Sequence, residues 1–314
     1  MIGNLIGLLV LIALVVLFGW LTVRAWKAKR AWVKWVGGVL AGLLTVVFAL
    51  AAVTIGRGLY LMYAPRSFPI PSINVTGTAD EVARGEHLAQ VVCAPCHTTD
   101  GKLPLSGGRN LSDDVRLPLG DLYPPNLTPA GELATWSDGE ILRAIRQGTH
   151  KNSRPLGMPV QRLKNLSDAD AQAVVAYLRK QPAVQNDVPP TNGSLVLAFF
   201  LGAGLFNIDA GPIDAPITAP PKAPTVEYGA YIASYTDCRD CHGEKLDGKP
   251  SGPVPPGPSL KVVQGWTLEQ FAKTLRTGVN PYGHQLQPPM PWQTYGKMDD
   301  VELEALYSYL RSLP

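Results

Sequence analysis

Acidic residues are missing from the first 56 positions, and residues 1–23 carry no charged side chain of either sign. A helix pair buried in a soluble core would normally include some polar residues, so that origin is set aside. Cysteine is scarce as well. The 314 residues hold four, and all four fall in two pentapeptides, leaving no thiol for any other site. The net charge of +3 overstates how basic the chain is. Five of its 28 Lys/Arg side chains sit within residues 1–56, which leaves 23 facing 25 Asp/Glu in the remainder. No basic face for nucleic acid remains, and the positive excess belongs to one short stretch.

The two pentapeptides are Cys93-Ala94-Pro95-Cys96-His97 and Cys238-Arg239-Asp240-Cys241-His242. Cys-x-x-Cys-His is the attachment pattern of a c-type haem. Two thiols at this spacing can add to the two vinyl groups of one porphyrin, and the adjacent histidine then reaches the iron. A lone Cys-x-x-Cys could be a redox dithiol or half of a zinc site, and two could combine around one zinc. The histidine after each second cysteine, and surrounding sequence that repeats with each motif, favour one haem per motif.

Residues 1–23 and 35–56 are uncharged runs, each long enough to cross a hydrocarbon core, which takes about 20 residues. Arg24, Lys27, Lys29, Arg30 and Lys34 lie between them, with Trp26, Trp32 and Trp35 interleaved. The cations place this loop in the cytoplasm and the tryptophans suit the interface. Residues 1–57 thus read as a transmembrane hairpin in a prokaryotic plasma membrane, with both ends outside. Ala49-Leu50-Ala51 imitates a signal-cleavage site. A complete first span precedes it, so the expectation is an uncleaved anchor. Residues 58–78, with Pro65, Pro69 and Pro71, read as an extended tether.

Residues 79–183 read as a first haem domain. Asp80 is expected to cap a helix that runs into the first motif, with His87 facing outward. Residues 136–148 (WSDGEILRAIRQG) form a short helix capped by Ser137 and ended by Gly148. Ser167 caps a last helix. Met158 lies between these two helices in Gly157-Met158-Pro159 and is the candidate sixth ligand, a soft thioether suited to ferrous iron. His150 is the rival.

Residues 225–314 repeat this plan. Gly229 matches Gly85, residues 266–278 (WTLEQFAKTLRTG) match 136–148, and Tyr309 matches Tyr177. Met290 lies nine residues before Asp299, as Met158 lies nine before Ser167. Met298 then aligns with Leu166 and reads as packing, while His284 has no counterpart and reads as a loop residue. Each paired glycine should let the last helix approach the first closely.

With these residues in view, the chain resembles membrane-anchored di-haem members of the class I cytochrome c family over most of residues 79–314. The run Gly120-Asp121-Leu122-Tyr123-Pro124-Pro125-Asn126-Leu127-Thr128-Pro129, followed by Trp136-Ser137-Asp138, is similar to cytochrome subunits of membrane alcohol and aldehyde dehydrogenases. A two-span anchor with two such domains also resembles the di-haem subunit of certain haem–copper oxidases. The resemblance implies an all-α chain with two covalently bound haem c groups. Cys93, Cys96, His97 and Met158 would serve one, and Cys238, Cys241, His242 and Met290 the other, with His97, Met158, His242 and Met290 on the irons. It implies a quinol-oxidising or dehydrogenase complex as donor. A terminal oxidase, reaction centre or soluble cytochrome would be the acceptor.

The expected function is single-electron transfer on the periplasmic side, with no catalysis of its own. The alternatives are a subunit of a dehydrogenase or oxidase complex and, third, a di-haem peroxidase. The linker, 184–224, is proline-rich but holds the apolar stretch 195–206 (LVLAFFLGAGLF), too short to span. It reads either as packing wedged between the two domains or as a surface for lipid or a partner subunit.

Overall fold

The computed structural model describes residues 2–314 except 115–116, 159, 209–210, 214, 237, 249–255 and 289. Two of the prolines flanking the candidate methionines, Pro159 and Pro289, therefore lie outside the described residues. The chain is mostly helical. Its longer helices are α1 (Ile2–Trp26), α2 (Gly38–Tyr63), α3 (Ala79–Leu88), α4 (Asp138–Gln147), α5 (Asp168–Lys180), α6 (Leu195–Gly202), α7 (Val226–Tyr235), α8 (Leu268–Thr277) and α9 (Asp300–Arg311). They fall into two compact units.

One unit comprises Met1–Pro65, Leu117–Leu122 and Thr191–Asn207. In it, α1 and α2 are long and apolar enough to cross a membrane. They pack antiparallel, with Phe18 stacked on Phe48 at 5.4 Å and Gly42 against Thr22. A π turn, Val33–Gly37, leads into α2. The helix does not stop at residue 57. It continues to Tyr63, because nothing before Ala64-Pro65 removes a backbone donor or restricts the chain. Strands β1 (Gly120–Asp121) and β2 (Asn192–Gly193) pair antiparallel, Gly120 opposite Gly193. Asn4 is buried and donates to the Gly193 carbonyl at 2.7 Å.

The stretch 195–206 is packed on this hairpin, which corrects the expectation of a wedge between the haem domains. A methyl group at Gly58 would lie 1.7 Å from the Ala198 carbonyl oxygen, and one at Gly202 1.8 Å from that of Thr54. Small residues on both partners bring the backbones of α2 and α6 into contact.

The second unit holds both motifs and the two repeats. Its first part, 66–78, is extended and lies along α4: the Val75 N–H bonds the Asp138 carboxylate at 2.9 Å, and Gly139 abuts Pro71. Thr78, not Asp80, caps α3. Its hydroxyl accepts from Glu81 N–H while the Glu81 carboxylate accepts from Thr78 N–H, a reciprocal pair that a cap at Asp80 could not form. In each repeat the first helix crosses the last at a glycine. A methyl at Gly85 would lie 1.9 Å from the Ala173 carbonyl oxygen, and one at Gly229 2.0 Å from that of Ala305, with Tyr177 and Tyr309 filling the crossings. Gly148 and Gly278 end α4 and α8 in left-handed conformation. The same small bridge follows each, Thr149 with Pro155 and Val279 with Gln285.

Candidate functional site

A π turn, Ala89–Cys93, joins α3 to the first motif, so that Ala94–His97 forms a separate helical turn. Cys238–His242 forms the corresponding turn of the second. The four cysteines form no disulfide. Nor do they converge: among the described residues, the one cluster with metal-ligand spacing is His87, Asp299 and Glu302. Arg84 and Lys222 already ion-pair with its carboxylates. The geometry thus sets aside a shared four-thiolate zinc. Burial, with Cys96 adding a smaller push, raises the Cys93 thiol to about 12, which argues against a redox dithiol.

His97 and His242 are buried, at 6% and 8% exposure. Each Nδ1 faces a proline carbonyl, Pro125 at 3.1 Å and Pro258 at 2.7 Å. A carbonyl only accepts, so Nδ1 carries the proton and Nε2 the lone pair, the state that binds a metal. Burial pushes both imidazoles below their usual range and so favours that neutral form, although the proline bond pulls the other way. In matching places stand two indoles, Trp136 and Trp266, whose N–H groups are buried without an acceptor. Such a donor is costly unless some further group receives it. A haem, with its carboxylate edge, suits these residues in each half.

Met158 and Met290 are half-buried, and Met290 packs against the core. Met298 is buried beside the core, like Leu166 in the first repeat. His150 is buried too, but both its ring nitrogens are engaged, Nδ1 with Asn152 at 2.7 Å and Nε2 with Glu132 at 3.2 Å. His284 is exposed.

A feature that the sequence reading missed joins the two repeats. Arg84 donates to Asp170 at 2.8 Å and to Glu302 at 3.0 Å. His87 does not face outward, since its Nε2 meets Glu302 at 2.5 Å. Tyr231 donates to Asp170 at 2.6 Å and accepts from the Ser167 N–H at 2.9 Å. Asp170 and Glu302 occupy the same place in their repeats, three residues after the caps Ser167 and Asp299. His87 and Tyr231 also correspond, so the interface is a near-symmetric exchange. Burial favours protonation of both carboxylates. Their bonds outweigh it, to Arg84 for Asp170 and to His87 and Arg84 for Glu302, so both are held below the usual range. Farther along, Arg162 in the turn Val160–Leu163 meets Asp240 at 2.8 Å, inside the second motif.

Residues 80–178 match the family described as cytochrome C oxidase, cbb3-type, subunit III, and residues 226–314 match the cytochrome c family. A diheme cytochrome c-type protein of Cereibacter sphaeroides is 25% identical over 305 residues, covering 86% of this chain and 98% of that protein. The fructose dehydrogenase cytochrome subunit of Gluconobacter japonicus is 31% identical over 135 residues, 38% of this chain and 27% of its own length. The alcohol dehydrogenase (quinone) cytochrome c subunit of Gluconobacter oxydans is 28% identical over 99 residues, 27% of this chain and 20% of its own. The chain thus spans about a quarter or less of these dehydrogenase subunits. Two cytochrome c domains and two Cys-x-x-Cys-His motifs carry two covalently bound haem c groups.

Proposed function

We propose that this chain, a di-haem cytochrome c, relays single electrons on the outer side of a prokaryotic plasma membrane, to which α1 and α2 anchor it. Cys93, Cys96, His97 and Met158 hold one haem, and Cys238, Cys241, His242 and Met290 the other. Haem supplies one-electron iron chemistry when bound. The chain's part is to keep the ligands in place between the two oxidation states and to exclude water.

The observation that carries this reading is the pair of buried imidazoles, each with Nδ1 tied to a proline carbonyl. Each bond orients its ring and leaves Nε2 for iron. Met158 and Met290 stand at matching places after the bridged loops that follow Gly148 and Gly278. The rival His150 has both nitrogens engaged. With an imidazole and a thioether on each iron, no position is open to a substrate, which favours electron relay over peroxidase chemistry.

Relatives named as cytochrome subunits of fructose and alcohol dehydrogenases support a second reading, permanent membership of a dehydrogenase complex. A quinol-oxidising or dehydrogenase complex then acts as donor, and a terminal oxidase, reaction centre or soluble cytochrome as acceptor. The test is spectroscopy on protein extracted in mild detergent. Electron relay predicts low-spin spectra for both haems and no carbon monoxide binding on reduction. Rapid stoichiometric binding to the native reduced protein would refute it. Co-purification of a flavin or quinoprotein subunit separates the complex from the independent carrier.

A further inference from the structure

We propose that residues 195–206 form a wedge in the outer margin of the bilayer, with lipid acyl chains as the occupant of their exposed face. The inference rests on the membrane reading of α1 and α2 above. Its first support is depth. The hydrocarbon takes up about 20 helical residues. Counted from Lys34, that number leads along α2 to about Thr54; counted back from Arg24, it leads along α1 to about Asn4. In the antiparallel hairpin, where Phe18 meets Phe48 and Thr22 meets Gly42, these two counts bracket an outer margin a few residues deep. The wedge packs within it, Leu195 against Gly7, Ala198 against Gly58 and Gly202 against Thr54. It therefore runs inward, antiparallel to α2, and turns back at the inner edge of that margin.

The second support is how the segment treats its backbone. In lipid, polar main-chain groups must find partners within the protein. The Ser194 hydroxyl accepts from the N–H groups of Val196 and Leu197. At the other end Gly204, left-handed at φ +73°, closes a Schellman turn: its N–H bonds the Leu201 carbonyl, and Leu205 N–H bonds that of Phe200. The Gly202 carbonyl accepts from Arg57. Arg57 thus spends its charge at the outer boundary on the tip of the wedge, as a snorkelling cation would.

The third support is composition and continuity. Residues 195–206 contain no charge, and Phe199 and Leu205 are 41% and 51% exposed. The Phe200 and Phe206 rings meet with centroids 5.2 Å apart and planes tilted by 33°, giving a blunt aromatic tip. This face adjoins the apolar surface of the hairpin, where Val53 is 72% exposed. A patch continuous with a lipid-facing surface, at the same depth and with its helix ends internally satisfied, is suited to acyl chains.

The test places a nitroxide on the full-length holoprotein in phosphatidylcholine–phosphatidylglycerol nanodiscs. The four native thiols are consumed by haem, so Leu205→Cys and Phe199→Cys can each be labelled alone. Collision with oxygen and with a water-soluble nickel chelate is then compared at these sites, at Val53→Cys and at Tyr282→Cys, the last being 75% exposed. The wedge predicts an oxygen-to-nickel ratio at 205 and 199 several-fold above that at 282 and close to that at 53. Gly58→Leu, which collides with Ala198, should lower the ratio at 205 and leave that at 53. A nickel-rich signal at 205 with an oxygen-rich one at 53 overturns the wedge alone. A nickel-rich signal at 53 overturns the membrane reading beneath it. Shielding from both reagents at 205 overturns the lipid assignment in favour of a protein occupant, either a partner subunit or a second copy.

Discussion

Arg162 reaches out of the turn Val160–Leu163, just after Met158, to Asp240 between Cys238 and Cys241, with a contact of 2.8 Å. The same guanidinium holds Glu244 at 2.8 Å. The segment proposed to bear the first haem's sixth ligand is therefore tied to the loop that attaches the second. Removing Arg162 leaves two carboxylates beside the second haem, which favours ferric iron. A unit charge at roughly 10 Å, with an effective dielectric near 20, is worth about 1.7 kcal/mol. Asp240 and Glu244 are 43% and 77% exposed, so screening reduces this. Arg162→Gln should lower the midpoint potential of the second haem by some tens of millivolts. Asp240→Asn should raise it, and the double variant should return close to the parent in a spectroelectrochemical titration.

The carboxylates Asp170 and Glu302 set an acid limit to stability. Both are held below the usual range in the folded protein. Their contribution is therefore fully present above the unfolded values, near pH 4, and is lost as the pH falls through the lowered folded values. Denaturant midpoints followed by circular dichroism should drop on acidification below about pH 4. Asp170→Asn should lose about 2–3 kcal/mol at neutral pH, because Arg84 is left without that partner, and its acid limb should be shallower. An unchanged limb in both Asp170→Asn and Glu302→Gln would remove these groups from the account.

Met158→Ala and Met290→Ala should each open one iron. The expected result is one carbon monoxide per reduced chain in either variant and two in the double variant, titrated by the change in the Soret band. A variant that binds none would point to a different sixth ligand at that haem.

Gly85 and Gly229 sit where a β-carbon would enter the facing carbonyl, at 1.9 and 2.0 Å. Neither helix can shift without opening the crossing. Gly85→Val or Gly229→Val should cost about 3 kcal/mol or more, at the upper end of overpacking effects. The thermal midpoint should fall, while haem content per folded chain, read as the pyridine haemochrome, stays at two in whatever fraction folds.

The haem motifs were legible in the sequence because thioether attachment demands fixed covalent spacing, and the repeat was legible because its caps and glycines recur. Ser137 and Ser167 cap as read, each accepting from the N–H three residues on, and Asp299 at the start of the closing helix does the same. The cap of α3 was misplaced by two positions because Thr78 and Asp80 are both competent, and only the reach of Glu81 decides between them. The end of α2 was set too early, since Arg57 and Gly58 are tolerated in a helix that still has a neighbour to pack against. The position of 195–206 and the exchange among Arg84, His87, Asp170, Tyr231 and Glu302 were not legible. Both depend on partners more than 60 residues apart, about which local pattern is silent.

The near-symmetry of that exchange breaks in charge where the first repeat has Arg84 and the second has Tyr228, and this single guanidinium serves both carboxylates. Two copies of the first half laid face to face would confront arginine with arginine. Two copies of the second would bury each Glu302 without Arg84 or His87, leaving it only the long contact to Lys222 at 4.0 Å. The duplicated halves are thus mutually selective, so neighbouring chains have little incentive to trade domains.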